Sequence, residues 1–215
     1  MKTDLFNTFQ IAALSVFLSV LLGRTLVLRF TSNISPIALG SGKRGFDRAI
    51  ELAFVVGLAI WITELALYAF RSDFRIFRSP LDATLITSVP AKLVGVLLLS
   101  AGLAIFVWAL ASFGDSWRVG IDQRKPGELV TKGAFAFSRN PIFMSLDLYL
   151  VGTFLINGPM IFLLFTIIVV AGIHYQIRNE ERFLTSHYGQ AYLDYCARTE
   201  RYLTWPWRRA GGERR

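Results

Sequence analysis

The chain has 215 residues, 53% of them hydrophobic, a formal net charge of +8 and a mean hydropathy of +0.47. Soluble domains of this length are less apolar and carry shorter apolar runs, so the composition excludes one and points to a membrane protein. The positive charge calls for no nucleic-acid partner: attraction to anionic headgroups accounts for it, and no interleaving of basic and aromatic residues suits RNA or DNA.

A helix needs roughly 20 apolar residues to cross about 30 Å of hydrocarbon. In chain order, residues 5–23, 49–70, 91–113, 141–157 and 159–175 approach that length. The expected fold is therefore all-α and polytopic, with five transmembrane helices and a cytoplasmic helical C-terminal segment. The first run is read as a helix rather than a cleaved leader, because Arg24 and Thr25 follow Gly23 where small residues would mark a cleavage site. Between the fourth and fifth runs stand Asn157, Gly158 and Pro159. Proline lacks an amide hydrogen and disfavours the α region for the residue before it, so the chain turns there into a tight helical hairpin.

Lysine and arginine set orientation. Arg24, Arg29, Lys43, Arg44 and Arg48 fall in the first loop, and Arg118, Arg124, Lys125, Lys132 and Arg139 in the third. A basic tail follows the fifth helix; Lys2, Arg71, Arg75 and Arg78, with Lys92 at the margin of the third helix, take the other side. The expectation is an inner-membrane protein of the bacterial kind, its amino terminus outside and its carboxyl terminus and site in the cytoplasm. Residues 1–127 are expected to hold the first three helices, 128–205 the site with the 141–177 hairpin, and 206–215 a disordered basic tail.

Several sites are weak or absent. Cys196 is the lone cysteine, and His187 stands too far along a helix to activate it. His174 and His187 lack the spacing of paired metal ligands, so no metal is expected. Gly40-Ser41-Gly42-Lys43 has no preceding strand and reads as a linker rather than a phosphate loop.

The hairpin returns two polar segments to one membrane face: residues 133–143 (GAFAFSRNPIF) and 178–195 (RNEERFLTSHYGQAYLDY). In the second, Tyr188, Tyr192 and Tyr195 are spaced so that one continuous helix would line them on a single face. Two carboxylates fall inside apolar runs. Asp147 lies about 9 Å along the fourth helix and Glu64 about 21 Å along the second, so they sit at different depths. An intramembrane carboxylate is a functional candidate by default; Asp147 suits an acceptor site near the cytoplasmic face, and Glu64 reads as structural.

Gly133, Arg139-Asn140-Pro141, Glu180-Glu181, Leu184, Tyr188-Gly189, Tyr192, Tyr195 and Arg201 together resemble the isoprenylcysteine carboxyl methyltransferase family and the related phospholipid methyltransferases, over residues 128–205. The resemblance implies an integral membrane enzyme that uses S-adenosylmethionine without a Rossmann fold. It assigns Gly133, Phe135, Arg139, Asn140, Pro141, Glu180 and Glu181 to the cofactor pocket. Asn140 stands where many members have histidine, and Phe135 and Phe143 where tyrosine is common. Asparagine hydrogen-bonds but does not titrate near neutral pH, which leaves binding, not base catalysis, to that position. The candidate catalytic residues are Arg139 and Asp147. The implied reaction is methyl transfer to a lipophilic or lipid-linked acceptor, which would arrive from the bilayer beside the fourth helix near Phe143. Carboxylate, thiol and amine acceptors all remain open, as does the oligomeric state. The alternatives are a membrane NADPH-dependent reductase of the steroid-reductase type and a non-catalytic membrane scaffold or transporter.

Overall fold

The computed structural model describes residues 4–31, 45–113 and 127–204. Lys2, the 40–43 linker with Arg44, the basic loop residues Arg118, Arg124 and Lys125, and the 206–215 tail lie outside the described residues. The described residues form six α-helices: α1 Leu5–Thr31, α2 Phe46–Ala69, α3 Val89–Phe113, α4 Pro141–Asn157, α5 Met160–Tyr188 and α6 Gln190–Arg198. Four of them, α1, α2, α3 and α5, are long and apolar enough to cross a membrane; α4 is apolar but shorter. The protein is an all-α, polytopic integral membrane protein.

α4 has the expected limits because both ends are written in the sequence. Pro141 occupies its first turn, where the missing N–H costs nothing, and Gly158 closes it in the left-handed region at φ 88°. The extended Pro159 then starts α5. α5 differs from expectation: it does not stop at residue 175 but continues to Tyr188, 29 residues in all. Residues 176–188 contain no proline or glycine, and Gln176 Nε2 donates to Glu180 Oε1 one turn later at 3.0 Å. At about 1.5 Å per residue the helix is some 43 Å long, so its last turns project beyond the hydrocarbon. Gly189, at φ 53°, ends it.

α3 packs most extensively on α4. The contact is made by small residues. A Cβ on Gly102 would come within 2.7 Å of the Ser145 carbonyl oxygen, and Gly95 stands against Gly152 in the same way. Such close backbone approach maximises dispersion contact where lipid leaves little hydrophobic drive between helices. Around this pair, Phe17 of α1 lies 4.8 Å from the Phe106 ring and 5.4 Å from Tyr149, and Trp61 of α2 meets Tyr149 at 5.8 Å.

At the end remote from the 133–140 segment, the loop after α2 caps the hairpin. Leu85 N–H donates to the Gly158 carbonyl (2.8 Å), while Met160 and Ile161 N–H, otherwise orphaned at the start of α5, donate to the carbonyls of Ala83 and Leu81 (2.9 and 2.8 Å). Glu64, fully buried, accepts the Ile76 N–H at 3.0 Å through Oε2 and so anchors this loop. Gln10 of α1 and Asn157 of α4 exchange side-chain amide bonds of 3.2 and 2.7 Å.

Candidate functional site

The segment from 133 to 140 is clamped from three sides. Gly133, at φ 61°, opens a 3-10 turn, and the next N–H, of Ala134, donates to Ser112 Oγ at the end of α3 (3.0 Å). Phe135 is buried edge-on against Phe113, centroids 4.8 Å apart, and its carbonyl accepts the Tyr195 hydroxyl at 2.6 Å. Burial pushes the Tyr195 phenol above its ordinary value, which keeps it a neutral donor.

A strap of chain after α6 forms the third side. Arg139 N–H donates to the Glu200 carbonyl (3.0 Å) and Thr204 N–H to the Phe137 carbonyl (2.6 Å). Buried Ser138 donates to the Arg201 carbonyl (3.3 Å) and accepts from Asn140 N–H (3.0 Å).

These restraints bring Arg139, Asn140 and Glu181 together. Arg139 Nη2 is 3.0 Å from Glu181 Oε1, and Arg201 binds Oε2 through Nε and Nη2 at 3.0 and 2.6 Å. Asn140 Nδ2 donates to the Arg201 carbonyl at 3.1 Å and reaches Glu181 Oε1 at 3.5 Å. The Glu181 hydrogen bond raises the Arg201 guanidinium above its usual value. Two guanidinium groups thus share one carboxylate, leaving an unbalanced positive charge, and the Arg139 Nε is buried without a partner. Charge-assisted bonds of this kind are the strong ones.

The two glutamates part company. Neighbours on a helix project about 100° apart, so Glu181 meets the arginines while Glu180 bonds back to Gln176. The tyrosine stripe is divided as well: Gly189 ends α5 at Tyr188, and α6 carries the buried Tyr192 and Tyr195 in a new direction. Pro141 is buried at the start of α4, and Gly133 stands at the edge, against Ser112. Cys196 is half-buried beside Tyr192.

A second polar layer lies beneath the first. Asp147 is seven residues beyond Asn140 on α4, and His174 seven residues before Glu181 on α5. In an antiparallel hairpin these steps run the same way, two turns or about 10 Å deeper. Tyr202, next to Arg201 in the strap, reaches this layer: its hydroxyl lies 2.7 Å from His174 Nδ1. Burial first, and the Asp147 charge second, raise the Tyr202 phenol above its ordinary value. Asp147 Oδ1 is buried and has no hydrogen-bond partner.

Ser138, His174 and Tyr202 are members of this region that the sequence reading did not single out, and Arg201 entered that reading only as part of the motif, without a place in the pocket. The signal available for His174 was its hairpin register with Asp147. Among the described residues no group of three or more His, Cys, Asp or Glu side chains could hold a metal ion. A more open apolar groove of about 670 Å³ runs between α1 and α3, past Ala12, Val16, Ser100 and Trp108. It holds no charged side chain, and Asp147 faces roughly away from the Ser145 and Gly152 side of α4 on which α3 packs.

A comparison with curated proteins finds no match. Residues 91–191, which take in the larger part of α3, the 133–140 segment, the whole α4–α5 hairpin and the start of α6, match the family model described as phospholipid methyltransferase. That match agrees with the resemblance carried by the motifs of the same segment.

Proposed function

We propose that the protein transfers a methyl group from S-adenosylmethionine to a lipophilic or lipid-linked acceptor at the cytoplasmic mouth of the α4–α5 hairpin. The observation that carries this reading is the Arg139–Glu181–Arg201 cluster, with its surplus positive charge and the unpartnered buried Nε of Arg139. A buried donor without a partner costs free energy unless a ligand satisfies it, and the carboxylate of the methyl donor has the charge and geometry to do so. In this reading Arg139 holds that carboxylate, Glu181 and Arg201 hold Arg139, and Gly133, Phe135, Asn140, Pro141 and Glu180 complete the walls. When bound, the donor supplies a methyl on a sulfonium, whose leaving group needs no protonation. The chain's own work is alignment and exclusion of water.

The acceptor side is assigned to the face of α4 turned away from α3. Phe143, Asp147, Val151 and Phe154 recur along it and are all half-buried, a lipid-facing stripe with one carboxylate. A lipophilic molecule sliding along this stripe meets Asp147 before it meets the cluster. The cytoplasmic placement rests on the basic residues, among them Arg24, Arg29, Arg48 and Lys132, at that end of the bundle.

Calorimetry on detergent-solubilised protein with S-adenosylmethionine, S-adenosylhomocysteine and NADPH tests the proposal. Binding of the first two and not the third is expected. Binding of NADPH alone would favour the reductase reading, and binding of none would favour a scaffold or transporter.

A further inference from the structure

We propose that the groove between α1 and α3 binds one anionic phospholipid of the leaflet remote from the Arg139–Glu181–Arg201 cluster, its phosphate on Lys92 and one acyl chain along the groove. The groove holds about 670 Å³, within the roughly 300–1,000 Å³ of sites that receive small molecules. It exists because Ala12 of α1 and Ser100, Ala104 and Ala111 of α3 are small, and these four are exposed. Phe9 stands at the end remote from the cluster, and Trp108 lies toward the other.

The charge at the head of the groove says what fills it. Lys92 stands just beyond Phe9: its ammonium lies 5.4 Å from the centre of the Phe6 ring, and Phe6 is one turn before Phe9 on α1. Asp4, the carboxylate at that end of α1, pairs with Arg71 at 3.5 Å, and among the described residues Lys92 has no carboxylate of its own. The lysine stem can lie on apolar surface while its charge stays at the interface. An apolar channel headed by an uncompensated cation suits a molecule with a long chain and an anionic head. Lipid tails are as apolar as the groove, so the chain gains dispersion contact and the headgroup supplies the preference.

Two other occupants fit less well. A methyl acceptor belongs elsewhere, because Lys92 is twenty residues before Ser112, about 30 Å along α3 from the clamped 133–140 segment. Ala104 of the groove also projects about 200° from Gly102, which faces α4, so the groove and the α4–α5 hairpin lie on opposite sides of α3. A second copy docked about a two-fold axis along the membrane normal would bring equivalent residues together at equal depth, and two Lys92 ammoniums would repel. A lipid in this seam instead adds to the contacts of Phe17 and Gln10 that hold α1 on α3 and α4.

The test offers the delipidated full chain in detergent an equimolar mixture of phosphatidylglycerol and phosphatidylcholine with identical chains, and native mass spectrometry counts what is retained. The wild type is expected to keep one phosphatidylglycerol in preference to phosphatidylcholine. Lys92→Gln should lower that preference roughly fivefold, the worth of one lysine beside an anionic membrane surface. Arg78→Gln removes an exposed cation of the same membrane face outside the seam and should leave the preference unchanged. Ala104→Trp, at an exposed position, fills the groove and should abolish retention; phosphatidylglycerol should raise the melting temperature of the wild type and not of this variant. Equal retention of the two lipids by the wild type, equal losses in Lys92→Gln and Arg78→Gln, or a lipid-free dimer overturns the proposal. These readouts involve no methyl transfer, and the Lys92 and Arg78 variants decide the matter even if Ala104→Trp does not fold.

Discussion

Gly95 and Gly152 stand back to back across the α3–α4 contact: a Cβ on the first would lie 2.8 Å from the carbonyl oxygen of the second, and one on the second 2.7 Å from that of the first. Neither position has room for a side chain. Gly152→Leu should force the helices apart and lower stability by roughly 1–3 kcal/mol, the usual cost of overpacking. Gly172→Ala, where nothing lies within 4 Å, is the control and should be neutral or slightly stabilising. Thermal unfolding of both variants in the same detergent measures the difference.

Glu181 and Glu180 are predicted to behave unequally. Glu181→Gln leaves two guanidinium groups without their shared counter-charge, so Arg139 loses its position. S-adenosylmethionine affinity should fall tenfold or more, as expected where charge-assisted bonds worth about 1.5–3 kcal/mol are lost. Glu180→Gln should cost less, since Gln176 holds that side chain outside the cluster. Equal effects, or none, in calorimetry would remove the assignment.

Gln10 and Asn157 are predicted to couple energetically. Their reciprocal amide bonds tie α1 to the end of α4, and Gln10 is almost wholly buried. Polar side-chain bonds between membrane helices contribute about 0.6–2 kcal/mol. A double-mutant cycle with Gln10→Leu and Asn157→Leu should return a coupling in that range. Strict additivity would show the pair to be energetically idle.

Orientation is open to a direct measurement. A reporter fused after Arg215 should read as cytoplasmic and one inserted at Asp82 as external, because the basic residues gather at the cluster's end of the bundle. The reverse pattern would take the site out of the cytoplasm.

How much of this was legible depended on where the chain writes its stops. Asn140-Pro141 and Asn157-Gly158-Pro159 are local signals, and α4 has the limits they imply. The end of α5 is not signalled by polarity, because a helix that leaves the membrane can continue in water; only Gly189 stops it, and that glycine also divides the tyrosine stripe. Glu180 and Glu181 are interchangeable on paper and become distinct only when about 100° of helical rotation separates them. The strap was legible only at Arg201, for a different reason. Its key bonds join backbone groups of Arg139 to Glu200 and Phe137 to Thr204, and backbone pairing of that kind leaves no trace in side-chain pattern.

The strap also sets an order of events in the life of the molecule. Ribosomes deliver the chain from the amino end, so α3, α4 and α5 leave the ribosome before residues 199–204 do. Until then Glu181 has one arginine instead of two, Asn140 lacks the carbonyl it donates to, and Tyr202 has not reached His174. A chain that ended after α6 would lack the Arg201 side of the cluster. The cluster, and with it competence for the proposed chemistry, is thus the last feature the newborn protein completes.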